Sequence, residues 1–570
     1  MKAIRDIIVV MFVATAVLWQ AGSPPARARS MSAAEAERAV AGWLAGNPAP
    51  LDTPLGRQTA GVESIANSSG RIICHVVGLT STGFVVVAAD DRVEPIIGFA
   101  AGTSYDLAPN SPLATLLRND MSRRLAAAAA AGVKAIGVRG LTASPTTEAT
   151  EKWSYLLEQA DREPFQLRAM GLESVADVRV SPFIRTHWSQ GNVCEKLCYN
   201  YYTPENYYCG CVATAMAQLM YHHRHPKEGI GRQGFMVGVD GWLRSLFTRG
   251  GDGDGGPYLW NAMAPTPRCS TSSIQRQAIG AICYDAGISV GTSYRADGSG
   301  AAAYPSADAL TDVFGYANAI CIANQDGLNI SLDNMINPNL DAKYPVILGI
   351  TSDGGHAVVV DGYGYDVVAD SNALYHHMNM GWAGQYDLWY NLPEILDYDT
   401  VTACIYNVYV DGAGEIISGR VTDANGAPIK GAVVNAVTDE QDLYQATTDS
   451  RGIYALKKVP SLTTYHVTVD RLGYAFRPHT FYIGTSRDYQ VSSGNRWGID
   501  FAGSAIGDAD NDGDVDFHDF SRLARRWGTA GEATATTPGD DATVDFHTLM
   551  DFLDQWLFGV ALDEPLPVED

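Results

Sequence analysis

The stretch CGCVATAMAQLMYHH, Cys209 to His223, decides how the middle of the chain reads. Behind Gly210-Cys211 the apolar residues Val212, Met216, Leu219 and Met220 recur at helical spacing, which sets Cys211 at or just before a helix N-terminus. The unsatisfied amides and the macrodipole there favour a thiolate. Gly210 permits a sharp turn into the helix and close approach of another chain. Alone, the pattern fits a buried structural cysteine or a disulfide with Cys209 equally well, so the partners decide. DGGHAVVVDGYG, residues 353–364, places His356 behind two glycines at the start of the apolar run Ala357–Val360. A strand beginning there holds an imidazole rigidly. THWSQGNVC, residues 186–194, offers the Gln190 amide, which together with the Cys211 N–H can donate to an oxyanion. Taken singly, Trp188 and Gln190 are ordinary core and loop residues.

Composition bounds the rest. At 570 residues the chain exceeds one hydrophobic core and implies roughly three to five domains. Hydrophobic residues at 46% and charged residues at 18% are globular values. A net charge of −24 excludes nucleic acid as a partner on electrostatic grounds. Residues 1–28 read as a signal peptide: Lys2 and Arg5, then the apolar run Ile7–Trp19, then Ala26-Arg27-Ala28 at the cut. That run is shorter than the ~20 residues a bilayer crossing needs, so the expected location is extracellular or cell-surface, with no membrane span. Of nine cysteines, eight could pair and one could stay free, and the sequence does not give the pairing. Cys194, Cys198, Cys209 and Cys211 crowd together, but their spacings do not match a four-cysteine zinc site.

Along the chain, 29–170 reads as an α+β N-terminal domain. It has a helix over AEAERAVAGWLAG, two strands in GRIICHVVGL and TGFVVVAADD joined by a Ser-Thr-Gly turn, and a helix former from Leu125 to Ala131. Residues 171–412 hold every catalytic signal, with GGDGDGGP (Gly250–Pro257) read as a flexible loop or lid. Residues 413–503 alternate in short strands with Asn-Gly and Arg-Gly turns, the pattern of a small all-β sandwich. Residues 504–570 are acidic and partly repeated.

Taken in order, W-x-Q at 188–190, the G-C-V-A-T-A-x-A-Q-x-M run from Gly210, G-G-H-A at 354–357 and N-x-G-W-x-G at 379–384 resemble the streptopain-like secreted cysteine peptidases. The resemblance covers roughly 31–410, and GFVVVAADDRVEPIIGFA looks like that family's inhibitory propeptide. It implies an α+β papain-like peptidase domain, with one helical half and one β half. Cys211 is then the nucleophile, His356 the general base and Gln190 an oxyanion donor. The separation of Cys211 and His356 falls within the ~130–150 residues of papain-like enzymes. One departure matters. The family's first tryptophan in this stretch is Met380, which cannot hydrogen-bond like an indole. Trp382 is expected in the active-site wall and Asn379 as a weaker candidate to orient the histidine, by Cys-His-Asn logic.

EIISGRVTDANGAPIKGAVVNAVT resembles the carboxypeptidase-regulatory-like sandwich and is expected to be a spacer or weak binding module. In GDADNDGDVDFHDF, Asp508, Asp510, Asp512, Asp514, Asp516 and Asp519 occupy positions 1, 3, 5, 7, 9 and 12 of an EF-hand-type loop. Gly513 stands at position 6, so Ca2+ is the expected ion. Asp at position 12 resembles dockerin modules, which dock on a protein partner. The second loop, around Val544-Asp545-Phe546-His547, is shortened and carries Thr548 at position 12, so it is expected to bind calcium poorly.

The expected whole is multidomain: an inhibitory propeptide, a papain-like peptidase, a sandwich and a small α-helical calcium-loop module. The expected function is a secreted cysteine endopeptidase made as a zymogen. It needs no cofactor for catalysis, acts on proteins or peptides, is cut somewhere in 165–182, and is monomeric. The alternative from another class is a catalytically inactive papain-like adhesion or binding protein. An amidase or transglutaminase on the same scaffold shares the Cys-His chemistry and stays open.

Overall fold

Ser32 begins the first helix by capping it: its hydroxyl accepts from Glu35 N–H while the Glu35 carboxylate accepts from Ser32 N–H. The helix α1 runs Ala33–Gly46. The computed structural model describes residues 29–102, 107–108, 111–134, 145–161, 175–323, 331–350, 355–368, 371–393, 401–488, 494–505 and 520–522. The expected signal peptide and the calcium loop Asp508–Asp519 with its degenerate repeat lie outside these. Two compact units emerge, one holding residues up to Ala176 with Asp366–Ala373, the other Asp177–Tyr365 and the chain from Leu374 onward.

In the first unit, strands β1 (Thr59–Ala66), β2 (Ile72–Leu79), β3 (Phe84–Ala88) and β4 (Ile96–Ala100) form an antiparallel meander. The β2–β3 turn uses Gly83 at φ 101°, a conformation only glycine takes cheaply. Helices α2 (Pro112–Lys134) and α3 (Pro145–Gln159) accompany the sheet, and buried Trp153 of α3 donates to the Val93 carbonyl at 3.1 Å. Buried Trp43 on α1 donates to Asp366 Oδ2 at 2.6 Å.

The second unit opens with β5 (Val175–Val180), of which residues from Asp177 belong to it, and then the helix α4 (Cys211–His223), whose residues from Cys211 through Tyr221 are all buried. A short sheet follows, in which β6 (Gly234–Val239) lies between β7 (Trp242–Phe247) and β8 (Ser293–Tyr294). Helix α5 (Ser273–Ser289), capped by a Ser272–Gln275 box, packs on α4. Then come α6 (Ser306–Asp312), β9 (Asn318–Ala323), α7 (Leu332–Asp341), β10 (Val346–Ile350), β11 (His356–Val368), β12 (Ser371–Asn379), β13 (Leu388–Tyr390) and β14 (Val401–Tyr409). The strands order as β13-β12-β11-β10-β14-β9, with β5 paired to β11. One half is therefore helical and carries Cys211; the other is a sheet and carries His356.

The glycine-rich stretch 250–257 is tied down at both ends. The buried Asp285 carboxylate accepts from Arg249 N–H, Gly250 N–H and the Tyr258 hydroxyl, the last at 2.6 Å. Asp252 accepts from the Asp254 and Gly256 amides. This corrects the reading of a flexible loop or lid: Asp252 shapes the turn, and a carboxylate distant in sequence holds the loop.

Of the pairings that nine cysteines allow, one forms. Cys194 pairs with Cys269; Cys74, Cys198, Cys209, Cys211, Cys283, Cys321 and Cys404 are free thiols. Cys198, Cys209 and Cys283 sit in the core between α4 and α5, where a thiol packs as a small apolar side chain.

The sandwich follows: β15 (Glu415–Asp423), β16 (Val433–Thr438), β17 (Leu443–Thr447), β18 (Ile453–Val459), β19 (Thr463–Asp470), β20 (Tyr474–Ala475), β21 (His479–Ile483) and β22 (Phe501–Ala505). Its two sheets order as β18-β15-β22-β20 and β17-β16-β19-β21. Alternate residues of β16 point inward, with Val434 and Ala436 meeting Tyr465, Val467 and Ile417 in the core.

Candidate active site

Gly210 caps α4 with φ 92° and ψ 154°, and a Cβ there would stand 3.3 Å from the Ser299 carbonyl. Only glycine meets both demands, so the turn delivers Cys211 as the first helical residue. The entry is braced behind: Cys209 N–H donates to the Gln190 carbonyl at 2.9 Å, and the Thr214 hydroxyl reaches the Ser189 and Gly210 carbonyls at 3.1 and 3.0 Å. Gln190, half-buried, is thereby held against Cys209, two residues ahead of Cys211. Trp188 is an anchor: fully buried, its indole donates to the Ala264 carbonyl and lies against Tyr199 and Tyr221.

Cys211 and His356 face each other. Burial pushes the Cys211 thiol up, but the hydrogen bond and charge of His356, with the Ala357 and Val212 amides, outweigh it and hold the thiol below its ordinary value. Burial pushes the His356 imidazole down; the bond and charge of Cys211 and a bond to the Met380 carbonyl more than reverse this. The two shifts share one cause, the contact between Cys211 and His356.

The group that orients His356 is one the sequence does not advertise. His356 Nε2 lies 2.9 Å from the Met380 carbonyl, which can only accept, so Nε2 carries the proton and the other ring nitrogen faces Cys211. The Trp382 indole nitrogen is 3.4 Å from the same Nε2, but a protonated Nε2 cannot accept from it. Trp382, 37% exposed with its ring centroid 6.2 Å from the imidazole, is a wall beside the pair. Asn379 does not meet the imidazole: its Oδ1 accepts from Gln218 Nε2 and Gly381 N–H, and its Nδ2 donates to the Thr186 carbonyl. The expectation of a direct Asn379 orienter is corrected on that ground, because both ends of the amide hold the turn that carries Met380. Asp387 secures the same turn, accepting from Met380 N–H at 2.9 Å. Sequence reasoning missed Gln218 and Asp387, although a glutamine inside an apolar helix is a visible signal. A cavity of about 270 Å³, mostly apolar, opens at the pair and is lined by Cys211, His356, Ala302, Ala303, Gly349 and Ile350.

Residues 188–390 match the Peptidase C10 family. The chain is a cysteine-type peptidase. Residues 28–124 of the peptidase match the Spi protease inhibitor family, and 416–496 match the carboxypeptidase regulatory-like domain. It is 25% identical over 348 residues to streptopain of Streptococcus pyogenes, covering 56% of this chain and 74% of that protein. It is 27% identical to the thiol protease/hemagglutinin PrtT of Porphyromonas gingivalis over 53% of this chain and 32% of that one. A prointerpain A fragment of Prevotella intermedia superposes with TM-score 0.41 at 19% identity, covering 62% of this chain and 99% of the fragment. The peptidase thus joins a papain-like domain to a propeptide of the inhibitor type and a C-terminal β-sandwich. Among the described residues no helix is long and apolar enough to cross a membrane.

Proposed function

We propose that the peptidase is a secreted endopeptidase, made as a zymogen, that works through a Cys211 thiolate and a His356 imidazolium. The observation that carries this reading is the free Cys211 thiol at the start of α4, hydrogen-bonded to His356 with both groups shifted toward the ion pair. The thiolate attacks a peptide carbonyl, forming a C–S bond while the carbonyl π pair moves onto oxygen. The Gln190 amide and the Cys211 N–H receive that oxyanion, and one such donor is worth ~3 kcal/mol. His356 gives its proton to the leaving amine as the C–N bond breaks. It then takes a proton from water, which attacks the thioester and frees the thiolate. The cavity beside the pair has room for an apolar substrate side chain next to the scissile bond. The apolar run Ile7–Trp19 behind Lys2 and Arg5 supports secretion.

Purified precursor, incubated with casein under reducing conditions, is expected to lose a mass close to its N-terminal unit and then to cleave casein. Absence of both would sink the zymogen reading. The rate constant kcat/KM is expected to be bell-shaped. Its acid limb belongs to the thiol, displaced below the ordinary thiol value, and its alkaline limb to the imidazolium, displaced above the ordinary imidazole value. Alkylation by iodoacetamide across pH checks the acid limb directly.

For the C-terminal module we propose Ca2+ on the carboxylates of Asp508, Asp510, Asp512, Asp516 and Asp519 with the backbone carbonyl of Asp514, and a protein docking partner. Hard oxygen donors at alternate positions around Gly513 support it. EDTA is expected to lower the melting temperature of the module's own transition in the full chain, and re-added Ca2+ to restore it. An unmoved transition removes the ion.

A further inference from the structure

The sandwich is built into the peptidase. Asn407 on β14 donates to Asn495 Oδ1 at 3.1 Å and Glu415 Oε2 at 3.3 Å, while its own Oδ1 accepts from Asn339 and Asn495. Ser486 closes the cluster on Glu415 from its N–H and hydroxyl. Buried amides so fully paired fix one arrangement of two domains. A second seam reaches β11, the strand that begins at His356: Trp497 Nε1 donates to the Tyr363 hydroxyl, which donates to Asp341 at 2.8 Å.

A third seam falls on the start of the peptidase domain. Asp177 on β5 accepts from Arg179 Nε at 2.6 Å and from Arg420 Nη1 of the sandwich at 2.9 Å, with the Arg420 side chain 14% exposed. Four residues on, the Ser181 hydroxyl accepts from Arg451 Nη1 at 2.8 Å. The two arginines are joined, because Arg420 Nε donates to the Arg451 carbonyl at 3.0 Å. The Arg451 turn is shaped in advance by Asp449, which accepts from the Arg451 and Ile453 amides. On its other side the gripped segment lies on bare backbone of β11: a Cβ on Gly362 would come 2.8 Å from the Val180 carbonyl and 2.9 Å from Pro182 N. Val180 is fully buried there, and Ile184 N–H donates to Asp361 at 2.8 Å.

We propose that the sandwich is a clamp for the extended segment Asp177–Ile184, recognising a carboxylate and a hydroxyl four residues apart, and that it holds this segment on β11 after the propeptide is cut away. The idea rests on the zymogen reading. The activation cut then falls N-terminal to Asp177, and the active form keeps the sandwich. Without the clamp, a freshly cut end one strand from β11 is free to peel.

The test uses full-length precursor, wild type beside the Arg420→Ala/Arg451→Ala double variant, followed by hydrogen exchange and by intact mass after processing. In the double variant, exchange over 177–184 is expected to rise about tenfold while β16 and β19 keep their protection. The active form is expected to begin no later than Asp177 and to retain residues 413–503. Unchanged exchange over 177–184, an active form starting beyond Asp177, or one lacking the sandwich each overturns the clamp. Should the double variant fail to fold, Ser181→Ala removes one hydroxyl only and gives the same local readout. The exchange experiment reads the precursor itself, so failure to self-process bears on the zymogen reading and not on the clamp.

Discussion

Cys211→Ser is expected to lower casein turnover by at least about 10⁴-fold and to leave the precursor at full mass, with its melting temperature within about 2 °C of wild type. The chemistry sets the size. A serine hydroxyl is not ionised at the pH where the thiol is, so His356 would have to remove the proton of a far weaker acid during the attack itself. Stability is spared because the side chain is nearly isosteric and its polar partner is the His356 imidazole, not a group that holds the fold. The histidine provides a second readout. Its imidazole stands above the ordinary value only because Cys211 and the Met380 carbonyl outweigh burial. With the thiolate gone, burial regains ground, so the His356 titration seen by NMR is expected to move to lower pH in the variant. Thiol-sensitive activity surviving in Cys211→Ser would falsify the nucleophile assignment outright.

Local features of the site were legible in the sequence. The spacing of Val212, Met216 and Leu219 marks a helix, and the glycine before the cysteine marks its sharp entry, because both follow from backbone geometry over a few residues. The run after His356 reads as a strand for the same reason. What stayed hidden depends on groups without a sequence signature or on partners far apart in the chain. The acceptor for His356 is a backbone carbonyl, and every residue has one, so Met380 looked like a defect when only its side chain differs. Gly250–Pro257 reads as a lid by composition, yet Asp285 holds it from another helix. The attachment of the sandwich was not legible because Asn407, Glu415 and Asn495 are unremarkable singly; their joint satisfaction shows only when β14 and β15 meet. The cysteine count left the pairing open for a related reason: pairing needs geometry, and several thiols sit in separate parts of the core.

Asn379→Leu is expected to cost about 3 kcal/mol of stability and about 10- to 100-fold in kcat, although Asn379 does not touch the imidazole. The side chain is 2% exposed, and a leucine of similar size fills its volume. Three groups then lose their partner where water cannot replace it: Gln218 Nε2, Gly381 N–H and the Thr186 carbonyl. A buried donor or acceptor left unpaired costs about 1–3 kcal/mol, so three of them outweigh any gain from the added apolar surface. The loss lands on the turn whose Met380 carbonyl sits 2.9 Å from His356 Nε2. A displacement there weakens the bond that favours the imidazolium. The alkaline limb of kcat/KM is therefore expected to move to lower pH, which simple loss of stability does not produce. Met380→Ala is the counterpart. It removes the side chain and keeps the carbonyl, so kcat is expected to stay within about threefold and the alkaline limb to stay in place. If Asn379→Leu lowers the melting temperature but leaves kcat and the alkaline limb unchanged, the turn holds its carbonyl without the amide. If Met380→Ala shifts the limb instead, the methionine side chain, and not the peptide oxygen, is what positions the histidine.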